Sequence, residues 1–277
     1  MKKKLIDSNQ HIQNISVVII CKNNENWLHF VLNMFQLFVQ TYEVKFTFYF
    51  FENDSIDATP ALIRGFLYEY NGLYINVGNS KLLNQLSRVE RITHIRNISK
   101  DIMTNKCGDW MLLIDSDIYF DVDILEKLFR NNPTENKIGM LCAFGIAAKR
   151  EGPNFDVWVT NNHYYDTAAF LADVKSPSAW PYCQFEGCRE CEARRELKGI
   201  CTSGTVDVHS AFGGLALIKK EIISNVEIKW KSKSVNNSPF NEHIDFCELI
   251  QTLGKLKISV ATDVPVLWDI STLNITS

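Results

Sequence analysis

Trp110-Met111-Leu112-Leu113-Ile114 is an unbroken apolar run that ends on two carboxylates, Asp115 and Asp117, with Ser116 between them. A continuous run of this kind reads as a strand buried on both faces, in the middle of a covered parallel sheet. Carboxylates at the end of such a strand fall where open α/β sheets bind ligands, just beyond the carboxyl edge. Asp-x-Asp also presents two hard oxygen ligands on one short turn, which suits a divalent cation carrying a diphosphate. The same residues equally suit the start of a helix near Asp123, because Asp is a favoured N-cap. On this stretch alone both readings stand.

The chain before it supplies the expected neighbours. Strands are expected at residues 15–21, 46–51 and 73–77, and helical spacing of apolar residues at 27–38, 61–70 and 82–103, with the Trp110 strand fourth. Alternation of this kind argues an α/β fold built on a doubly wound, mostly parallel sheet with helices on both faces. Polar clusters follow three of the strands: Lys22-Asn23-Asn24, Glu52-Asn53-Asp54 and Asp115-Ser116-Asp117. Right-handed crossovers bring such loops to one edge of the sheet. Their convergence favours a ligand site over three unrelated helix caps. After Phe120 the pattern loosens. A helix is expected at 122–129 and a strand at 138–144. Two short strands within 206–218 are expected to hinge at Gly213-Gly214. Helical spacing at 242–253 is stopped by Gly254, and 257–260 reads as a last strand.

Composition bounds the function. With 29 basic against 32 acidic residues the net charge is −3, so no basic excess points to a nucleic-acid partner. Apolar runs such as 15–21 fall far short of the roughly 20 residues needed to span a bilayer, so no membrane span is expected. The opening residues carry Lys2, Lys3 and Lys4 but no apolar stretch of the signal-peptide kind, and a cytoplasmic protein is the expectation. The length of 277 residues is read as one domain, with a nucleotide-binding half at about 12–120 and an acceptor half at about 121–277.

These pieces, in this order, resemble GT-A nucleotide-sugar glycosyltransferases of the family-2-like kind, and also the fungal capsule mannosyltransferase-like group. The resemblance rests on Val17-Val18-Ile19-Ile20-Cys21-Lys22-Asn23, Glu52-Asn53-Asp54-Ser55-Ile56-Asp57-Ala58-Thr59, Ile95-Arg96-Asn97, Leu113-Ile114-Asp115-Ser116-Asp117, Gly213-Gly214, and Glu242-His243-Ile244-Asp245-Phe246. It covers residues 15–268 and implies a GT-A (Rossmann-like) domain. The implied activity is metal-dependent transfer of a hexose or pentose from a UDP- or GDP-sugar to a hydroxyl of a glycan or glycoconjugate.

The resemblance also implies roles. Lys22, Glu52 and Asn53 belong to the nucleotide site, with Glu52 and Asn53 toward the base. Asp57 is either a later acid of that motif or a helix cap. Arg96 approaches the donor diphosphate, where a guanidinium suits paired phosphate oxygens. Asp115 faces the ribose or a metal-bound water, and Asp117 holds Mn²⁺ or Mg²⁺. An inverting transferase also needs a base to deprotonate the acceptor hydroxyl. The family places an acid at the second position of a Glu-Asp pair, which here reads Glu242-His243. Glu242 and Asp245 are therefore the favoured bases, with His243 as base or metal ligand. A retaining mechanism stays open. In place of a late His the chain offers Trp268, expected to pack, and Asp269.

Cys183, Cys188, Cys191 and Cys201 follow the spacing C-x4-C-x2-C-x9-C, with His209 further on. That spacing permits a structural zinc site, but it is weaker than two Cys-x2-Cys pairs, and free thiols or an occasional disulfide are the favoured reading. Trp180, Tyr182, Phe185 and Arg189, and Trp158, His163, Tyr164 and Tyr165, are candidates for glycan contact or for packing. Two other functions are compatible with the motifs. One is a sugar nucleotidyltransferase, although Cys21-Lys22-Asn23-Asn24-Glu25 lacks the early Gly-rich loop. The other is a non-catalytic nucleotide-sugar or glycan binder.

Overall fold

The structure is a computed structural model, and it describes residues 2–4, 14–78, 83–131, 137–151, 157–164, 204–232, 234–235, 238–239 and 242–269. Strands β1 (Asn14–Cys21), β2 (Lys45–Glu52), β3 (Gly72–Asn76) and β4 (Trp110–Asp115) pair in the order β3-β2-β1-β4, all parallel. Helices α1 (Glu25–Thr41), α2 (Thr59–Glu69) and α3 (Arg88–Met103) are the crossovers between them. Alternate side chains of each strand enter two cores. Val17, Ile19, Phe48, Phe50, Leu112 and Ile114 pack with α1, α2 and α4 (Val122–Arg130). Val18, Tyr49, Phe51, Met111 and Leu113 pack with α3 and with α5 (Lys220–Ser224) and α6 (His243–Thr252). Helices therefore cover both faces, and every described strand residue from Met111 to Ile114 is buried. That double burial is the physical reason for the continuous apolar run.

The second half departs from the parallel pattern. β5 (Ile118–Tyr119), β6 (Ile138–Glu151), β7 (Val157–Tyr164), β8 (Thr205–Val208), β9 (Leu215–Lys219) and β10 (Lys257–Asp269) complete a ten-stranded sheet. β9 lies antiparallel between β4 and β6, while β10 runs parallel to β6 and antiparallel to β8. The sheet is thus only partly parallel. β6 and β10 are also much longer than the expected 138–144 and 257–260, because each pairs along most of the other. Their register shifts between Val260 and Pro265. Beyond the shift, β10 also pairs with β5, setting Trp268 opposite Ile118.

The helix expected at 82–103 starts later. A single 3-10 turn at Leu83–Gln85 precedes it, and Ser87 opens α3 with a capping box. The Ser87 hydroxyl accepts the Glu90 N–H (3.3 Å), and Glu90 accepts the Ser87 N–H (2.9 Å). Among the described residues no helix is long and apolar enough to cross a membrane.

Candidate nucleotide and metal site

Register brings the three expected loops together. Asp115 pairs with Ile20, Cys21 with Glu52, and Glu52 with Asn76, so the ends of β1, β2, β3 and β4 share one edge. The loops after β1 and β2 are laced to each other. Asn23 N–H donates to Ser55 Oγ (2.8 Å), Ile56 N–H to Asn23 Oδ1 (2.9 Å), and Asn24 N–H to Thr59 Oγ1 (2.8 Å). Ala58 N–H donates to Glu25 Oε2 (2.8 Å). Asn23 and Asp54 both take positive φ, 50° and 49°, which Asn and Asp tolerate better than most residues.

Asp57 serves two helix starts at once. Its carboxylate accepts the Glu25 N–H (3.0 Å) at the first residue of α1 and the Thr59 N–H (3.0 Å) at the first residue of α2. Burial raises its pKa, but these hydrogen bonds outweigh burial and hold the carboxyl below its usual range. The cap reading of Asp57 has this geometry behind it.

Glu52 is buried, and its carboxylate accepts from the Ser55 N–H, from Tyr74 OH (2.9 Å) and from Asn76 Nδ2 (3.1 Å). Three of about four acceptor positions are therefore filled from within the fold. Asn53 is buried beside it, with its N–H on the Cys21 carbonyl (3.0 Å). Lys22 is exposed on the neighbouring loop.

At the end of β4, Asp115 and Asp117 are both half-buried, and Ser116 between them turns inward to bond the Ile20 carbonyl (2.9 Å). The N-cap position of α4 is Asp121, beyond both carboxylates, and it makes no side-chain cap bond. Asp117 Oδ2 instead accepts the indole N–H of Trp268 (3.3 Å), a residue that is also part of the core. Burial pushes the Asp117 carboxyl above its usual range, and the Trp268 bond only partly offsets it. Two hard oxygen donors, one of them a carboxylate whose charge lacks full compensation, suit a divalent cation. Among the described residues no group of three or more His, Cys, Asp or Glu side chains is arranged to hold one. The side chain of Asp269 lies outside the described set.

Arg96 joins this edge to the second half of the chain. From α3 its Nη2 reaches Asp115 Oδ1 (3.4 Å), while Nη1 bonds Glu242 Oε1 and faces His243 Nε2. Its guanidinium carbon lies 4.8 Å from the centre of the Phe212 ring, which stacks on His243 at 4.2 Å. Trp230 Nε1 approaches His243 Nδ1 (3.4 Å), and Trp230 stacks on Phe246 at 3.8 Å. Donors thus face both ring nitrogens of His243, and a neutral imidazole accepts from only one. Burial first, then the Arg96 charge, hold its pKa well below the usual value. Glu242 occupies the N-cap position of α6 but makes no cap bond, its carboxylate being turned to Arg96. Asp245, in the first turn of α6, is buried.

The fold therefore gathers Arg96, Asp115, Glu242 and His243 into one contact network, with Asp117 two residues from Asp115 and Glu52 and Asn53 on the neighbouring strand end. Phe212, Trp230, Tyr74 and Asn76 were not foreseen. Phe212 lies in an expected short strand beside the Gly213 hinge, Trp230 in a stretch without periodicity, and Tyr74 and Asn76 within an expected strand, with nothing local to mark any of them as site residues. The four cysteines at 183–201, the aromatics named with them, Tyr165 and the side chains of Trp158, His163 and Tyr164 lie outside the described residues. The described cysteines, Cys21, Cys107, Cys142 and Cys247, are all buried. An open surface depression of about 470 Å³ lined by Asp109, Trp110 and Lys219 lies at the other end of β4, away from the carboxylates.

Sheet order, covered faces and the mixed second half define a GT-A type of α/β fold. Solved structures share it. The mannosyltransferase PcManGT from Pyrobaculum calidifontis, in complex with GDP-Man and Mn²⁺, aligns with a TM-score of 0.57 at 9% identity, over 94% of this chain and 58% of that one. S. aureus TarS 1-349 in complex with UDP-GlcNAc aligns at 0.53 and 13%, over 95% and 62%. Its complex with UDP aligns at 0.52 and 14%, over 93% and 61%. The chain thus spans about three-fifths of these proteins' length, and at such identities the likeness is one of fold. No family model and no curated relative matches the sequence.

Proposed function

We propose that the protein is a metal-dependent glycosyltransferase that moves a sugar from a nucleotide-sugar donor to a hydroxyl of a glycan or glycoconjugate, with inversion. The observation that carries this reading is the meeting of Asp115, Arg96 and Glu242 at the sheet edge where α/β folds bind ligands. The shared fold adds support, since its neighbours hold GDP-Man with Mn²⁺, UDP-GlcNAc and UDP. With the resemblance to capsule mannosyltransferases, this makes GDP-mannose the first donor to test and UDP-GlcNAc the second. The fold comparisons do not favour a nucleotidyltransferase or a non-catalytic binder.

In this reading the laced loops hold the nucleotide, with Asn53 and Lys22 toward it and Glu52 fixing the loop from beneath. Asp115 meets the ribose or a metal-bound water, and Asp117 is the direct metal ligand. A bound Mn²⁺ or Mg²⁺ ion supplies charge neutralisation for the departing nucleoside diphosphate. Glu242 or Asp245 takes the proton from the acceptor hydroxyl. The hydroxyl oxygen then bonds to the anomeric carbon as the bond to the diphosphate breaks on the opposite face. His243 suits neither role suggested for it: a buried imidazole under a guanidinium holds a proton poorly, and donors face both its nitrogens. The test is hydrolysis of a panel of nucleotide sugars with Mn²⁺. Asp117→Ala should lose metal-dependent donor binding and about 100-fold or more of turnover. Donor binding and turnover that survive this change sink the reading.

A further inference from the structure

Arg96 stands between the two halves of the site and is only 4% exposed. It holds Asp115 at the end of β4 and Glu242 at the start of α6 with its two terminal nitrogens. Its third nitrogen, Nε, is buried and has no acceptor among the described residues. An unsatisfied buried N–H on a guanidinium marks a place where an acceptor belongs, and a phosphate oxygen is the strongest one such a group meets.

The pair with Glu242 has a consequence for the chemistry. The Glu242 oxygen that bonds the guanidinium is engaged there and is not available to an acceptor hydroxyl. A diphosphate arriving beside Asp115 competes for the same cation with more charge and with paired oxygens. The geometry points to Arg96 as a latch with two alternative partners. Without donor it holds Glu242, and the donor's diphosphate takes it over, leaving Glu242 to accept the proton of the acceptor hydroxyl. This rests on the nucleotide-sugar reading of the site and adds an order to it: donor first, acceptor activation second. Arg96 is then a positioning residue for the base as well as a phosphate contact. Phe212 gives it a flat surface to turn on, and neutral His243 a second acceptor beside Glu242.

Linkage supplies a test that a purely structural role cannot mimic. If the pair with Glu242 must open for a diphosphate to bind, removing the Glu242 charge must tighten diphosphate binding. The probes are UDP and GDP with Mn²⁺, titrated calorimetrically into the full chain. Glu242→Gln should bind the preferred diphosphate about three- to tenfold more tightly than wild type while donor turnover falls. Equal or weaker binding overturns the latch. A double-mutant cycle of Arg96→Gln and Glu242→Gln, followed by denaturant unfolding, gives a second readout. Coupling that is present without nucleotide and shrinks with it supports the latch, whereas coupling that nucleotide leaves unchanged overturns it. If neither UDP nor GDP binds wild type with Mn²⁺, the nucleotide-sugar reading fails and takes the latch with it. Normal diphosphate binding with unaltered coupling sinks the latch alone.

Discussion

Asp117 is half-buried with the Trp268 indole N–H as hydrogen-bond donor, and burial holds its carboxyl above the usual range. A raised folded value means that the native state keeps the proton more tightly than the unfolded chain does. Ionisation therefore costs stability, with no penalty below pH about 3.9 and the full penalty above the raised value. At neutral pH the metal-free protein carries that penalty, while an amide at the same place can still accept from Trp268. Asp117→Asn should thus raise the melting temperature of the metal-free protein at pH 7 and leave it unchanged near pH 3. It should also remove the stabilisation that Mn²⁺ with nucleotide gives wild type. Thermal melts at both pH values check this, and a lower melting temperature at pH 7 contradicts it. Gain of stability with loss of binding is the pattern expected where a site keeps an uncomfortable charge for a ligand.

At the scale of elements, the loop between β8 and β9 shows how local conformation positions the site. Gly213 has φ 64° and Gly214 φ 79°, and a Cβ on Gly213 would be driven into the carbonyl oxygen of Ala143 on β6. This close approach presents Phe212 beneath Arg96 and lets the Gly214 carbonyl accept the Asp115 N–H (2.8 Å). Gly213→Ala should therefore cost about 2 kcal/mol or more, from left-handed backbone plus collision, and should lower donor affinity as Asp115 shifts. Denaturant unfolding reads the first effect, and a loss below about 0.5 kcal/mol contradicts it. The Gly213-Gly214 hinge was legible in the sequence because paired glycines between apolar runs have few other uses. The parallel half was legible because Val17 to Ile20 and Met111 to Ile114 leave no polar face. Other elements had no local sign. β10 continues to Asp269 through Asp263 and Pro265, residues that argue against a strand, because pairing to β6 and then β5 overrides propensity. The break before α3 was hidden because 82–103 keeps helical spacing on both sides of Ser87. Likewise Glu52 and Arg96 were identifiable as polar residues at strand end and helix. Tyr74 and Asn76 on the one, and Glu242 and His243 on the other, are tertiary partners that spacing does not reveal.

Over the whole molecule the site's charge balance sets what it can bind. Asp115, Asp117, Glu242 and Asp245 stand at this edge of the fold with Arg96 paired to two of them. The chain as a whole is also acidic, at −3, although the Arg88 charge reaches Asp117 and Lys22 stands exposed on a neighbouring loop. A nucleoside diphosphate brings further negative charge into a partly buried setting, where like charges are poorly screened. Arg96, which also pairs with Asp115, cannot neutralise it alone. UDP or GDP without a divalent cation should therefore shift the melting temperature little, whichever base is preferred. With Mn²⁺ the preferred nucleotide at about 100 times its Kd should add about 2.7 kcal/mol of stability. Removing the cation with a chelator should return the melting curve to that of the free protein, and raising salt should not replace the cation, because a monovalent ion supplies only half the charge against the carboxylates and phosphates. Equal stabilisation by nucleotide with and without chelator would show that the carboxylate pair does not act through a metal. The Asp115–Asp117 turn would then have to be explained by its contacts within the protein, those with Arg96 and Trp268 among them.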